Sequence, residues 1–102
     1  MGLDMYLFEE MGDHTTELMY WRKEWDIQRI IGEVLGVKIE NCTEYPITWE
    51  ELEQIRDEIC DMSYGYWIAK EEFNYEQKGI SKLDEILDTY PKDHVFCYYA
   101  WW

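Results

Sequence analysis

The sequence predicts an α+β fold. Residues 1–102 are expected to form a small single domain in which a short antiparallel sheet, including the N- and C-terminal strands, carries about three packed helices. Three observations lead there. Leu3 to Phe8 and His94 to Trp102 are apolar and aromatic at strand-like density, the interior holds three stretches with apolar residues three and four apart, and the length allows one core and no more. An unpaired edge with the composition of the C-terminal tail would aggregate, so the tail is expected to pair, most simply with the N-terminal strand.

In order along the chain, Leu3, Met5 and Leu7 share one face of the first strand and Asp4, Tyr6 and Phe8 the other. A polar turn spans Glu9 to Thr16, after which Glu17 to Tyr20 either returns as a hairpin partner or opens a helix. From Trp21 to Leu35 the spacing predicts a helix with Ile27, Ile30, Ile31, Val34 and Leu35 on one face, closed by Gly36 as C-cap. Trp21, Trp25 and Gly32 lie about 120 to 160° from Ile27 and form a second stripe. Val37 to Ile39 reads as a short strand, followed by an irregular link to Pro46.

Thr48 and Glu51 form a capping box that starts a helix running from about Trp49 to Met62, with Leu52, Ile55, Ile59 and Met62 inward. Ser63 to Trp67 breaks that period and reads as a loop or short strand. A third helix is expected over Glu71 to Thr89, with Phe73, Ile80, Leu83, Ile86, Leu87 and Tyr90 as its apolar side, Gly79 as its weak point and Pro91 as its stop.

Charge narrows the function. There are 23 acidic and 9 basic side chains, a formal charge of −14, which argues against binding duplex DNA or an anionic membrane, since both are engaged through clustered Lys and Arg. Acidic disordered chains are poor in aromatics, whereas 18% of this chain is Phe, Trp or Tyr, so a folded protein is expected. No apolar stretch approaches the roughly 18 to 20 residues of a membrane span, and no basic then apolar leader opens the chain, so a cytoplasmic location is expected. Cys42, Cys60 and Cys97, odd in number and widely spaced, suit reduced, partly buried thiols.

Catalytic candidates are few. His94 and Cys97 are close enough in sequence for a Cys/His pair, but Cys97 alternates with Phe96 and Tyr98 in an expected strand, which favours a buried thiol. Neither paired zinc-ligand spacing nor a glycine-rich phosphate loop occurs, so neither enzyme activity nor a metal or cofactor is expected.

Met1-Gly2-Leu3-Asp4-Met5-Tyr6-Leu7, followed by Tyr20-Trp21-Arg22-Lys23 ahead of an apolar helix, resembles a family of small proteins of uncharacterised activity encoded by bacteriophages and prophages. The acidic helix entered through Ile47-Thr48-Trp49, the Gly65-Tyr66-Trp67 segment and the aromatic stretch from Phe96 to Trp102 resemble further members in the same order. Trp25 and Gln28 stand where members of that family carry Asn and His. The resemblance implies phage origin and action inside a bacterial host.

Between Ile39 and Met62 eight acids face a single base, Arg56, so this segment carries half of the net charge. The row is either a solvated helix exterior or an imitation of a phosphate row. Glu50, Glu53, Asp57 and Asp61 recur every 4.5 to 6 Å along the axis at about 1.5 Å per residue, against about 3.4 Å per phosphate on one DNA strand. With the phage setting, the expectation is a non-enzymatic inhibitor of the anti-CRISPR or anti-restriction type. It would hold a basic, nucleic-acid-handling host protein through Glu50, Glu53, Asp57, Glu58 and Asp61, with Trp25, Trp101 and Trp102 as anchors. One alternative is a small-molecule or nucleotide sponge or sensor built on Trp21, Arg22, Lys23 and Trp25. Another is a self-associating phage structural or accessory protein, a homodimer included.

Overall fold

Alternation decides the sheet. A computed structural model describes residues 2–12, 14–68 and 79–102, with 62–68 as backbone. In β1 (Asp4–Phe8) Met5 and Leu7 point inward. In β2 (Glu17–Arg22) Met19 and Trp21 do the same, and the two strands pair antiparallel with Met5 opposite Trp21 and Leu7 opposite Met19. Segment 17–22 is therefore the hairpin partner. The helix expected from Trp21 begins four residues later, because Trp21 obeys the two-residue period of its strand and is buried in the core. Lys23, at φ 58°, turns the chain out of the strand while its N–H donates to the Leu3 carbonyl at 2.7 Å.

Helix α1 (Trp25–Leu35) buries Ile27, Ile30 and Ile31. It ends at Gly36 in the left-handed region, φ 69°, where the Val37 N–H returns to the Gly32 carbonyl at 3.0 Å, the 6→1 bond of a Schellman stop. A Cβ on Gly32 would stand 2.9 Å from the Val37 carbonyl oxygen, so glycine is what lets the chain fold back across the helix end. Residues Val37 to Ile39 are irregular instead of a strand. They are held by the Tyr45 hydroxyl, which accepts the Glu40 N–H at 2.8 Å and donates to the Lys38 carbonyl at 3.3 Å.

The strand lies farther on, at β3 (Thr43–Thr48), where the sequence suggests an irregular link. Pro46 reads as a breaker, yet β3 is an edge strand and an edge N–H can be spared. Thr48 and Glu51 close the expected capping box: the Glu51 N–H donates to Thr48 Oγ1 at 3.2 Å and the Thr48 N–H to Glu51 Oε1 at 2.9 Å. Helix α2 (Trp49–Ile68) follows and runs through 63–67, which the sequence suggests as a loop or strand. Leu52, Ile55 and Ile59 are its buried side, and the side chain of Met62 lies outside the described residues.

Helix α3 (Ile80–Thr89) buries Ile80, Leu83 and Ile86; the earlier part of the expected third helix, with Phe73, lies outside the described residues. β4 (Val95–Trp101) then enters the middle of the sheet, antiparallel to β1 and to β3, giving the order β2-β1-β4-β3. The expected pairing of the two terminal strands is present, with Leu7 opposite Tyr98 and Met5 opposite Ala100. Asn41 extends the ladder past its end: its side-chain amide donates to the Trp102 carbonyl at 3.2 Å, and its Oδ1 accepts the Trp102 N–H at 2.9 Å. All three helices among the described residues feed one core, and their buried residues pack with Leu3, Met5, Leu7, Phe96 and Tyr98 from one face of the sheet. The register turns Asp4, Tyr6, Tyr20, Arg22, Tyr99 and Trp101 toward the other face, which is free of helices among the described residues.

Candidate binding faces

The acidic row of α2 is a solvent face. Glu50, Glu53, Asp57 and Asp61 are exposed and, at 100° per residue, fall within an arc of about 80° opposite Leu52 and Ile59. Glu58 is exposed at one flank of that arc. Arg56, the base in this stretch, is drawn toward α3, where its Nε lies 2.7 Å from Asp84 Oδ1 and its Nη2 3.4 Å from Oδ2. Its Nη1 meets Asp57 at 3.0 Å. These hydrogen bonds, Asp84 first and Asp57 second, hold the guanidinium well above its ordinary pKa. The cation is thereby spent within the fold. Asp84 and Asp88, one turn apart on α3, continue the acidic surface across the helix pair; the Leu-Asp-Glu-Ile-Leu-Asp run carries that spacing, although the sequence reading did not single it out.

The expected tryptophan anchors divide between two sides of the molecule. Trp25, 50% exposed at the start of α1, makes an edge contact with half-buried Trp102, ring centroids 5.7 Å apart. Trp101, 47% exposed, points to the sheet face away from the helices. Trp101 and the α2 row therefore do not share one surface, since successive strand residues point to opposite sides.

The expected ligand set Trp21, Arg22, Lys23 and Trp25 is not brought together either. Trp21 is 2% exposed and packs in the core, Arg22 is exposed on the helix-free face, and Trp25 belongs to the helix layer. Trp25 instead lines a groove of about 540 Å³ along α1, with Arg29, Gly32, Glu33, Val37 and Lys38. Arg29 in this groove already pairs with Glu33 at 3.1 Å.

Residues 9–12 and 14–16 fold back over one end of the helix-free face. There His14 Nε2 donates to Glu44 Oε1 at 2.7 Å, the Gly12 N–H donates to the same oxygen at 3.2 Å, and the His14 ring stacks on Phe8 with centroids 4.9 Å apart. The hydrogen bond from His14 is the main reason that Glu44 titrates below its ordinary value. Cys97 is fully buried here, beneath that loop, with Sγ 3.7 Å from Glu44 Oε1. Burial, with the Glu44 carboxylate second, pushes its thiol up to about 11, the opposite of what a nucleophile needs. His94 is occupied elsewhere, its Nε2 2.6 Å from the Glu9 carbonyl oxygen and its ring between Tyr90 and Phe96. Among the described residues no three His, Cys, Asp or Glu side chains converge as a metal site, and no helix is long and apolar enough to cross a membrane.

Across the rest of this face Tyr20, Tyr6 and Tyr99 stand abreast on β2, β1 and β4 as direct cross-strand partners. The Tyr6 and Tyr20 ring centroids are 5.2 Å apart. In the neighbouring row Arg22, Asp4 and Trp101 are partners in the same way. The Tyr20 hydroxyl donates to Asp4 Oδ1, and that bond raises the pKa of the phenol. Sequence reasoning placed Asp4 and Tyr6 on one face but did not join them to Tyr20, whose segment read equally as a hairpin partner or a helix start, or to Tyr99, because a pairing 93 residues apart leaves no local signal.

No protein-family model, curated protein or solved structure matches the chain.

Proposed function

We propose that this chain is a phage-encoded, non-enzymatic inhibitor that binds a basic, nucleic-acid-handling bacterial protein, of the anti-CRISPR or anti-restriction type, through the solvent face of α2. The observation that carries the reading is the arc of Glu50, Glu53, Asp57 and Asp61, exposed together, with Arg56 withdrawn into Asp84 and Asp57. Like charges one turn apart cost a helix about 0.2–0.5 kcal/mol per pair, so the arrangement is maintained against stability. The phage setting rests on the resemblance of the N-terminal and Tyr20-Trp21-Arg22-Lys23 segments. Attraction between the acidic face and a basic partner gives fast, salt-sensitive association, and buried aromatics slow dissociation. Trp25 and Trp102, on the helix side of the sheet, are the anchors compatible with that face.

The test is capture from bacterial lysate with the wild type and with the quadruple variant Glu50→Gln, Glu53→Gln, Asp57→Asn, Asp61→Asn. The expected result is a nucleic-acid-handling protein retained by the wild type, released by salt or competing duplex DNA, and absent from the variant. Equal recovery of the same protein by both would refute charge-based docking.

A further inference from the structure

The helix-free face of the sheet carries Arg22, with Lys23 at the turn beside it, next to the carboxylates of Asp4 and Glu44, in a protein whose formal charge is −14. Asp4 is engaged by the Tyr20 hydroxyl, and Glu44 by His14 and the Gly12 N–H. Arg29 and Arg56 are both paired with carboxylates, whereas exposed Arg22 and Lys23 make no ion pair among the described residues. Lys23 follows directly at the turn, with its Cε near Gly2, two residues before β1. Beside these cations lie the tyrosine row and Trp101, with Tyr20 41% and Trp101 47% exposed. Aromatic planes next to unpaired cations are what a phosphorylated heteroaromatic ring requires, since the rings take up its π-face and the cations its charge.

We propose that this face binds a free nucleotide, with the base stacked against Tyr6 and Tyr20, the phosphate at Arg22 and Lys23, and the Asp4 carboxylate accepting from the sugar hydroxyls or a base N–H between them. The spacing suits such a ligand. Tyr20 and Arg22 are two residues apart on one strand, about 7 Å, and Arg22 and Trp101 are two strands apart, about 10 Å, with Asp4 in the middle. The acids of α2 face outward on the far side of the helix layer. A helix is about 10–12 Å across, so they stand beyond the roughly 8 Å over which charge acts at physiological salt. A free nucleotide is favoured over a nucleic-acid strand because two cations answer one or two phosphates, and each further phosphate meets a net negative protein.

The site is separate from the α2 face, and its test is separable from that reading. Adenosine and guanosine 5′-monophosphates are titrated into the full chain and followed by amide chemical shifts. The corresponding nucleosides, inorganic phosphate and a ten-residue oligothymidylate serve as parallel probes. Shifts are expected in β1, β2 and the C-terminal end of β4. Arg22→Gln is expected to weaken the nucleotide about tenfold while leaving the nucleoside unchanged, and Tyr20→Ser to weaken both about tenfold. The quadruple α2 variant is expected to bind nucleotide like the wild type. Absence of shifts at millimolar nucleotide, shifts confined to the α1 groove, tighter binding of the oligonucleotide, or no effect of Arg22→Gln and Tyr20→Ser each overturns the assignment. Amide spectra of both variants establish that they are folded.

Discussion

Tyr98 carries a polar atom into the centre of the molecule, and its removal makes a quantitative test of the fold. The side chain is fully buried on the central strand, and its hydroxyl donates to Gln28 Oε1 at 2.7 Å. Burial pushes the phenol pKa far above its ordinary value, so it remains a donor at every accessible pH. Gln28 is 7% exposed, so Tyr98→Phe strands its carbonyl away from water. A stranded buried acceptor costs about 1–3 kcal/mol, which for a domain of this size lowers the melting temperature by about 4–8 °C per kcal/mol. Replacing Gln28 as well, in Tyr98→Phe with Gln28→Leu, removes the stranded group and is expected to recover most of the loss. The double-mutant cycle should then give a coupling of about 1 kcal/mol or more. Urea unfolding followed by tryptophan fluorescence measures all four corners at constant m-value. Two losses that simply add, or a Tyr98→Phe protein within 0.5 kcal/mol of wild type by that error scale, would refute the argument that this bond ties α1 to the sheet.

Three further outcomes are expected. Thr48→Ala removes one arm of the reciprocal capping box and costs about 1 kcal/mol in the same assay. Gly36→Ala places a Cβ where nothing lies within 4 Å, so its loss of about 1–2 kcal/mol is pure backbone strain at φ 69°, and Gly36→Asn is expected to lose less. Because the folded-state thiol of Cys97 is raised from 9.0 to about 11, its neutral form is favoured by folding. Its contribution is fully present below about pH 9 and is lost as pH rises toward 11, and Cys97→Ala should flatten that part of the stability profile.

The elements that were legible in the chain are those specified by neighbours in sequence. The Thr48/Glu51 box, the Gly36 stop and the inward sets Leu3/Met5/Leu7 and Leu52/Ile55/Ile59 are all local patterns, and each stands as expected. Two readings failed where one residue satisfied two periods or broke a rule with an exception. Trp21 fits a helical stripe with Trp25 and Gly32 as well as a strand with Met19, and only pairing with Met5 selects the strand. Pro46 excludes a central strand, yet nothing local says that its strand lies at an edge.

The binding faces follow the same division. The acids of α2 could be placed on one exposed arc from spacing alone, because 3.6 residues per turn fixes where a helical side chain points. Their continuation through Asp84 and the withdrawal of Arg56 required α3 to be packed against α2, with partners 28 residues apart. By itself the sequence determined the fold class, the concentration of charge on one helix and the period of each element, since all three depend on composition and local geometry. Only the tertiary structure decided which side of the sheet Trp101 faces, that Trp21 is core, and that Tyr6, Tyr20, Tyr99, Asp4 and Arg22 meet on one face. Those facts depend on strand order and register, and a one-residue change in register would turn every one of those side chains over.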